Sequence, residues 1–337
     1  MAKAKVVITL GDCTGIGPEV AVKALADPGI RGLADYIIVG DKRVWDMGCE
    51  ISGTTAPVVV FEKEESDKAL NYQGPRLPLI DQRNVEITRE EMGQILPKAG
   101  RATGEDFIFA LDLVKRGKIE GIVYAPLHKA AMNDGGYHFR DELEFFVDEL
   151  GFKGFASEIN TIGTLWAARV ASHVPITMVP GLCTYERVLN AIRLADRTLR
   201  DAGYENPRIG MNALNPHCGD NGLCGNEEII SIIPAIKAAQ EEGIDVSGPY
   251  SGDTVFLHAQ KGELDVVIGT YHDQVQVGIK LLGFHQGVTI NAGLPAVLVT
   301  PAHGTAFDIA GTGTASAGPM THAIKIASRM AESRKNK

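Results

Sequence analysis

Short apolar runs, each closed by a polar loop that usually carries glycine, recur along this chain with helical segments between them. That alternation constrains the fold more than any other feature. Lys5–Leu10 is a β-rich run, turned at Gly11 and followed by a helix expected from about Pro18. Tyr36–Val39 reads as a second strand ending at Gly40-Asp41. Gly104–Arg116 places Phe107, Ala110, Leu111 and Val114 at helical spacing and leads into a strand at Gly121–Ala125. Arg208–Met211, Val266–Gly269 and Ala296–Thr300 are further short strands. Strands alternating with helices imply an α/β fold with a largely parallel sheet. In such sheets ligands gather at loops beyond the carboxyl ends of strands. The polar clusters at 11–19, 125–129, 215–228, 271–280 and 302–313 each follow an apolar run.

A formal net charge of −9 disfavours nucleic acid or an anionic membrane as partner, since both need a basic footprint. The longest uncharged stretch, Leu281–Phe307, is broken by Gly283, Gly287, Gly293, Pro295 and Pro301, so it reads as strands and loops rather than a membrane span. The sequence before the first strand lacks the apolar core of a secretory signal. Five scattered cysteines fit a reducing cytoplasm without a disulfide framework.

Three separated segments each set a histidine beside a strand-like run: His173, His217 and His272. Their wide spacing excludes a zinc finger, which needs local ligand pairs, and suits a catalytic site assembled by folding. Three imidazoles leave positions open for a substrate hydroxyl and carboxylate, and a divalent metal there would ease loss of the hydroxyl proton and of hydride. Tris-imidazole ligation suits zinc; cobalt, manganese or magnesium can substitute. Asp273 is placed to tune a neighbouring ligand, and Lys280, eight residues beyond His272, to contact an anionic substrate or move protons. Cys218 and Cys224 flank His217 as soft ligands or as small residues of a tight glycine loop. The competing reading of all three histidines is that of ordinary turn residues.

Two glycine loops stand out. Gly11–Glu19 (GDCTGIGPE) is a strand–turn–helix whose helix N-terminus can face an anion. It matches neither the dinucleotide fingerprint nor a P-loop, and a tight structural turn explains it equally. In 301–313 (PAHGTAFDIAGTG), small residues let a flat ring approach the backbone. His303, Gly304, Thr305, Ala306 and Asp308 are the cofactor candidates here. Asp308 suits a ribose diol and repels a 2′-phosphate, favouring NAD over NADP. The alternative is a helix N-terminus with a glycine exit.

Taken together, Gly11–Glu19, APLHK at Ala125–Lys129, Asn215–Gly225, GPYSGDTVF at Gly248–Phe256, Tyr271–Gln274 with Lys280, and His303–Gly311 resemble the 4-hydroxythreonine-4-phosphate dehydrogenase family of pyridoxal phosphate biosynthesis and its relatives. HGTAFDIAG is also similar to the adenosine-binding loop of isopropylmalate and isocitrate dehydrogenases. The resemblance implies their two-lobed α/β/α fold with a cleft between lobes, one lobe from 1–128 plus 290–337 and the other, for metal, substrate and dimerisation, from 129–289. It implies a homodimer in which His173, His217 and His272 bind a divalent metal across the interface. The reaction implied is NAD-dependent oxidation of a secondary alcohol beta to a carboxylate, followed by decarboxylation. Lys280, Asp253 and Asp273 are the catalytic candidates, and Lys129 a further cleft residue.

Some positions depart from the family pattern. Where it carries Gly-His-Thr-Glu, this chain has Asp141-Glu142-Leu143-Glu144; Asp141 and Glu144 look like a capping box. Thr289 stands where Asn is usual, and Leu298 where Arg is usual. Losing an Arg and gaining a carboxylate weakens a phosphate site. The alternative substrate is therefore a cis-dihydrodiol carboxylate of aromatic-acid breakdown, with Arg140, Lys280 and Thr289 as substrate contacts. A non-catalytic metal- or nucleotide-binding homologue, and an acyl- or phosphate-transfer enzyme, are the readings from other classes.

Overall fold

The computed structural model describes residues 3–283 and 287–337, so 284–286 of the uncharged stretch lie outside the described residues. The chain forms two compact units, one from its start to Lys153 together with Leu294–Lys337, the other Gly154–Gly293. The helices Lys129–Asp134 and Glu142–Glu149 thus join the first unit, where the sequence had assigned them to the second. Packing explains this: Gly100, on the helix Pro97–Lys115, lies so close to Lys129–Asp134 that an added Cβ would sit 1.9 Å from the Ala131 carbonyl oxygen.

The strands in chain order are β1 (Lys5–Thr9), β2 (Asp35–Gly40), β3 (Val58–Glu62), β4 (Leu77–Asp81), β5 (Gly121–Tyr124), β6 (Ser157–Ile162), β7 (Leu165–Arg169), β8 (Ile209–Asn212), β9 (Val246–Tyr250), β10 (Val266–Gly269), β11 (Gly287–Ala292) and β12 (Val297–Pro301). In the first unit they run β3-β4-β2-β1-β5-β12, with every neighbouring pair parallel. Central β1 reads KVVIT and buries Val6, Val7 and Ile8 completely, as a strand covered on both faces must. Pro18 opens the following helix, Gly17–Ala26, where its missing N–H costs nothing.

The second unit runs β11-β6-β7-β10-β8-β9. β7, β10, β8 and β9 are parallel, but β6 pairs antiparallel with both β7 and β11. The β6–β7 hairpin turns through Gly163-Thr164, with Gly163 at φ 59°, which glycine adopts without penalty. The two antiparallel pairings of β6 are the exceptions in an otherwise parallel sheet, as the largely parallel expectation allows. Among the described residues no helix is long and apolar enough to cross a membrane.

One buried carboxyl gives the first unit a pH signature. Asp106 is 5% exposed on the helix Pro97–Lys115. Burial pushes its pKa well above the usual carboxylate range, against a hydrogen bond donated by Asn84. A folded-state pKa above the unfolded one means stability that is present below the unfolded pKa and is lost as pH rises through the folded one. Asp106→Asn keeps the shape and the acceptor oxygen. It is expected to raise the urea midpoint at pH 8 relative to the native chain while leaving that at pH 4 nearly unchanged. Equal shifts at both pH values would refute this.

Candidate functional site

Three neighbouring strand ends carry the three histidines. β7, β10 and β8 lie side by side and parallel, so their carboxyl ends share one edge of the sheet. His173 follows β7, His272 opens the helix His272–Gly283 after β10, and His217 lies in the loop after β8. The middle strand end is that of His272. Its ring centroid is 5.4 Å from that of His173, with the planes inclined by 44°. Two imidazoles sharing an ion through bonds of about 2.1 Å would hold their ring centres about 5 Å apart, so the pair fits a common metal. Asp273 Oδ1 lies 2.7 Å from His272 Nδ1, fixing that ring from behind and leaving Nε2 for a ligand. Ala171, Val174, Ile176 and Tyr271 line a pocket with these groups. Among the described residues of one chain no three His, Cys, Asp or Glu side chains gather closely enough to hold a metal, so His217 stands apart from the pair.

The backbone is unusual at two of the three histidines. His173 has φ 44° and His217 φ 52°, in the left-handed region that non-glycine residues avoid. His217 begins a left-handed run continued by Cys218, Gly219, Asp220 and Asn221. Each non-glycine residue there costs about 1–2 kcal/mol, so the surrounding structure must impose the turn. Buried Glu228 does much of this: its carboxylate accepts from the Leu214 and Asn215 backbone N–H groups at 2.8 Å and from Asn215 Nδ2 at 2.9 Å. Glu228 opens a π-helical turn, Glu228–Ile232, ahead of the helix Ile233–Glu241. Cys218 Sγ donates to the Pro249 carbonyl at 3.4 Å. Burial, with the charges of Glu228 and Asp253, pushes the Cys218 thiol up and favours its neutral form. Asp253 itself is exposed, in the segment between β9 and the helix Val255–Gln260.

A polar cluster that sequence reasoning missed lies under His173. Fully buried Arg169 bonds Glu158, Asn160 and Ser172, and Glu158 Oε2 is 3.9 Å from His173 Nε2. Thr289 enters the same cluster as an acceptor from Asn160. Gln274 Nε2 donates to the Ala213 carbonyl at 2.8 Å, tying the His272 helix to the strand end that leads to His217. Lys280, two turns beyond His272, is exposed. The only sequence signal for the cluster was Arg169 and Glu158 themselves, charges set within strand-like surroundings.

In the first unit, chain order reverses between β1 and β5, a switch point at which α/β sheets bind ligands. Gly11–Glu19 follows β1, His128 follows β5, and 302–313 follows adjacent β12. The anion-cradle reading of Gly11–Glu19 does not hold. The whole loop is buried and its N–H groups are used internally: Asp12 N–H donates to the Pro126 carbonyl, Gly15 N–H to Asp12, and Ile16 N–H to Thr305. It is a structural turn that anchors the 302–313 loop. Asp12 is buried within it; desolvation raises its pKa against two hydrogen bonds from Thr14. The alternative of a helix N-terminus at 303–311 also fails, because the segment is irregular and the next helix begins at Gly318. Thr305 is packed inward, Gly304 and Asp308 are exposed, and His303 Nδ1 lies 3.0 Å from the Gly304 carbonyl oxygen. Ala306 sits at φ 43°, and Phe307 stacks on His128 with centroids 5.1 Å apart.

The altered segment is charge-paired. Lys129 Nζ lies 3.2 Å from Glu142, beside a pocket lined by Leu127, Met132, Tyr137, Phe139 and Phe145. Arg140 Nε bonds Asp141 at 3.2 Å. Asp141 caps the helix Glu142–Glu149 by accepting from Glu144 N–H, but Glu144 reaches the Arg140 N–H rather than that of Asp141, so the reciprocal box is incomplete.

Comparison with known proteins adds the following. Residues 32–327 match the family described as pyridoxal phosphate biosynthetic protein PdxA. A Pseudomonas aeruginosa protein named "Putative 4-hydroxythreonine-4-phosphate dehydrogenase 2" is 42% identical over 97% of this chain and 96% of its own length. An Oceanobacillus iheyensis protein named "Putative D-threonate 4-phosphate dehydrogenase" is 37% identical over 96% and 97%. The crystal structure of a 4-hydroxythreonine-4-phosphate dehydrogenase from Burkholderia phymatum superimposes with a TM-score of 0.81 at 32% identity, covering 98% of this chain and 99% of that one.

Proposed function

Since this chain belongs to the PdxA family of pyridoxal phosphate biosynthetic proteins, we propose that it is a metal-dependent, NAD-linked dehydrogenase that oxidises a 4-phosphorylated 3-hydroxy acid and decarboxylates the product. The observation that carries this reading is the His173–His272 pair, backed by Asp273, at the shared edge of three parallel strands.

His173, His217 and His272 would hold the divalent ion, zinc being the best match to an all-imidazole set. When bound, it supplies a Lewis acid for the carbinol oxygen and for the enolate left by carbon dioxide. Asp273 keeps His272 in one tautomer and orientation. In this reading Lys280 holds the substrate carboxylate, and Asp253 takes the hydroxyl proton and returns one to the enolate carbon. His303, Gly304, Ala306 and Asp308 form the adenosine side of an NAD site, with Thr305 anchoring their loop from inside. NAD bound there would supply the acceptor for the hydride of the carbinol carbon. The resulting β-keto acid then breaks its bond to the carboxylate carbon.

The chain is a homodimer in this reading. Exposed apolar side chains follow each histidine: Ile176 and Met178 after His173, Leu223 and Ile230 after His217, Val277 and Leu281 after His272. Apolar surface grouped in this way suits another chain. A second copy would complete the imidazole set that one chain leaves open.

The Lys129–Glu142 pair favours a second reading, in which the substrate is a cis-dihydrodiol carboxylate. Glu142 neutralises the cation that a phosphate would otherwise use. Zinc-loaded protein with NAD is expected to form NADH from 4-phosphohydroxythreonine or D-threonate 4-phosphate. Turnover of a carboxylated cis-dihydrodiol alone would replace the first reading by the second, and Glu142→Gln would then be expected to raise kcat/KM for the phosphate esters about tenfold, as one charge-assisted contact is worth. NADH from none of these substrates would overturn both.

A further inference from the structure

Arg169 lies in β7 at 1% exposure, and its guanidinium is turned to protein acceptors. Nε donates to Ser172 Oγ at 2.8 Å, Nη1 to Asn160 Oδ1 at 2.7 Å, and Nη2 to Glu158. Gln276 Nε2 donates to the same Asn160 oxygen at 2.7 Å, and Asn160 Nδ2 donates to Thr289 Oγ1 at 2.9 Å. The register explains the gathering. Thr289 pairs with Asn160 across β11 and β6, Asn160 pairs with Ala167 across β6 and β7, and Arg169 is two residues beyond Ala167. Alternation along a strand then puts Glu158, Asn160, Arg169 and Thr289 on one face.

The partners connect the cluster to both imidazoles. Ser172 immediately precedes His173, whose backbone is held at φ 44°. Gln276 is one helical turn beyond His272. One guanidinium is thus bonded directly to the His173 turn and, through one asparagine, to the His272 helix. Stability does not account for it, because a buried ion pair is commonly matched or bettered by apolar packing of the same volume. What the cluster adds is direction: six polar side chains bond one another in a single arrangement.

We propose that Arg169 is a positioning residue, which through Ser172 and through Asn160–Gln276 sets the distance and inclination of the His173 and His272 rings. This rests on the reading that both rings hold the divalent ion. Arg169→Met would strand the Glu158 charge and is expected to unfold the chain, so the test uses the links. Co2+ is titrated into metal-free full-length protein and followed by its visible absorption, for the native chain and for Ser172→Ala, Ser172→Thr and Gln276→Met. Ser172→Ala and Gln276→Met are expected to weaken Co2+ binding by about 10–100-fold, the usual effect of removing support behind a ligand, and to change the band shape. Ser172→Thr, which keeps the hydroxyl, is expected to restore both, and urea midpoints should remain near that of the native chain. Native affinity and spectrum in Ser172→Ala and Gln276→Met would overturn the proposal. The same holds if Ser172→Thr behaves as Ser172→Ala does. No Co2+ spectrum from the native chain would overturn the metal reading itself, and the proposal with it.

Discussion

Changing His272 to alanine is expected to lower kcat/KM for NADH formation by on the order of 10³ while leaving the fold intact. Of the three histidines, His272 has the middle strand end, the measured approach to His173 and the carboxylate behind it. Loss of a Lewis acid from the reacting oxygen raises the barrier by several kcal/mol, and each 1.4 kcal/mol is tenfold in rate. The side chain is 36% exposed at the first position of its helix, so no core is disturbed. Bound metal per chain, NADH formation and the urea midpoint together check this. Metal content and rate should fall while the midpoint stays. A variant keeping more than a tenth of the native rate would remove His272 from the metal set. Asp273→Asn should fall between the two, because it loosens the ring without removing a ligand.

Gly11→Val is expected to destabilise the protein by about 4 kcal/mol or more, chiefly in the first unit. Gly11 lies two residues beyond β1 at φ 66°, a conformation that a β-branched residue resists. A Cβ there would also stand 2.3 Å from the Pro126 carbonyl oxygen and 2.5 Å from that of Ala125. All the clashing atoms are backbone, so no side chain can swing aside. Relief requires the β1 end to part from the segment leading to His128, breaking the bond from Asp12 N–H to Pro126. Thr305 is held by the same turn, so NAD affinity should fall even where the variant survives. A denaturant midpoint within about 1 kcal/mol of native would show that the turn relaxes more readily than these distances allow.

Gly11 also shows what sequence can and cannot distinguish. A glycine needed for close backbone approach and a glycine needed for an anion look the same in one dimension. Only the burial of Gly11–Glu19 and the internal use of its N–H groups separate them. Strands with continuous apolar runs were legible: Val266–Gly269 lies where it was read, because burial on both faces leaves no other pattern. The β6–β7 hairpin was not, because SEINTI sets two polar residues before each isoleucine, which is neither the alternation of a half-exposed strand nor the apolar run of a buried one, while Glu158 and Asn160 turn to Arg169. Partners for those groups come from β7, β11 and the His272 helix, and no local spacing reveals such pairings. That each of the three histidines follows a strand end was legible, because each stands just beyond an apolar run. The left-handed turn around His217 was not, since Gly, Asp and Asn only permit that conformation, while Glu228, eleven residues on, holds it.

The way the two units interleave along the chain dictates an order of synthesis. Gly154–Gly293 is continuous, so this unit can finish folding on the ribosome before the first unit has its last strand. β12 and the helix Gly318–Lys335, which packs on β12, β5 and β1, emerge last, so β5 keeps one unpaired edge throughout translation of the intervening unit. An open parallel edge is a template for wrong partners. Production of this protein is therefore sensitive to the speed of elongation after residue 293 and to chaperones that shield a nascent edge, and a truncation that removes β12 leaves that edge open permanently.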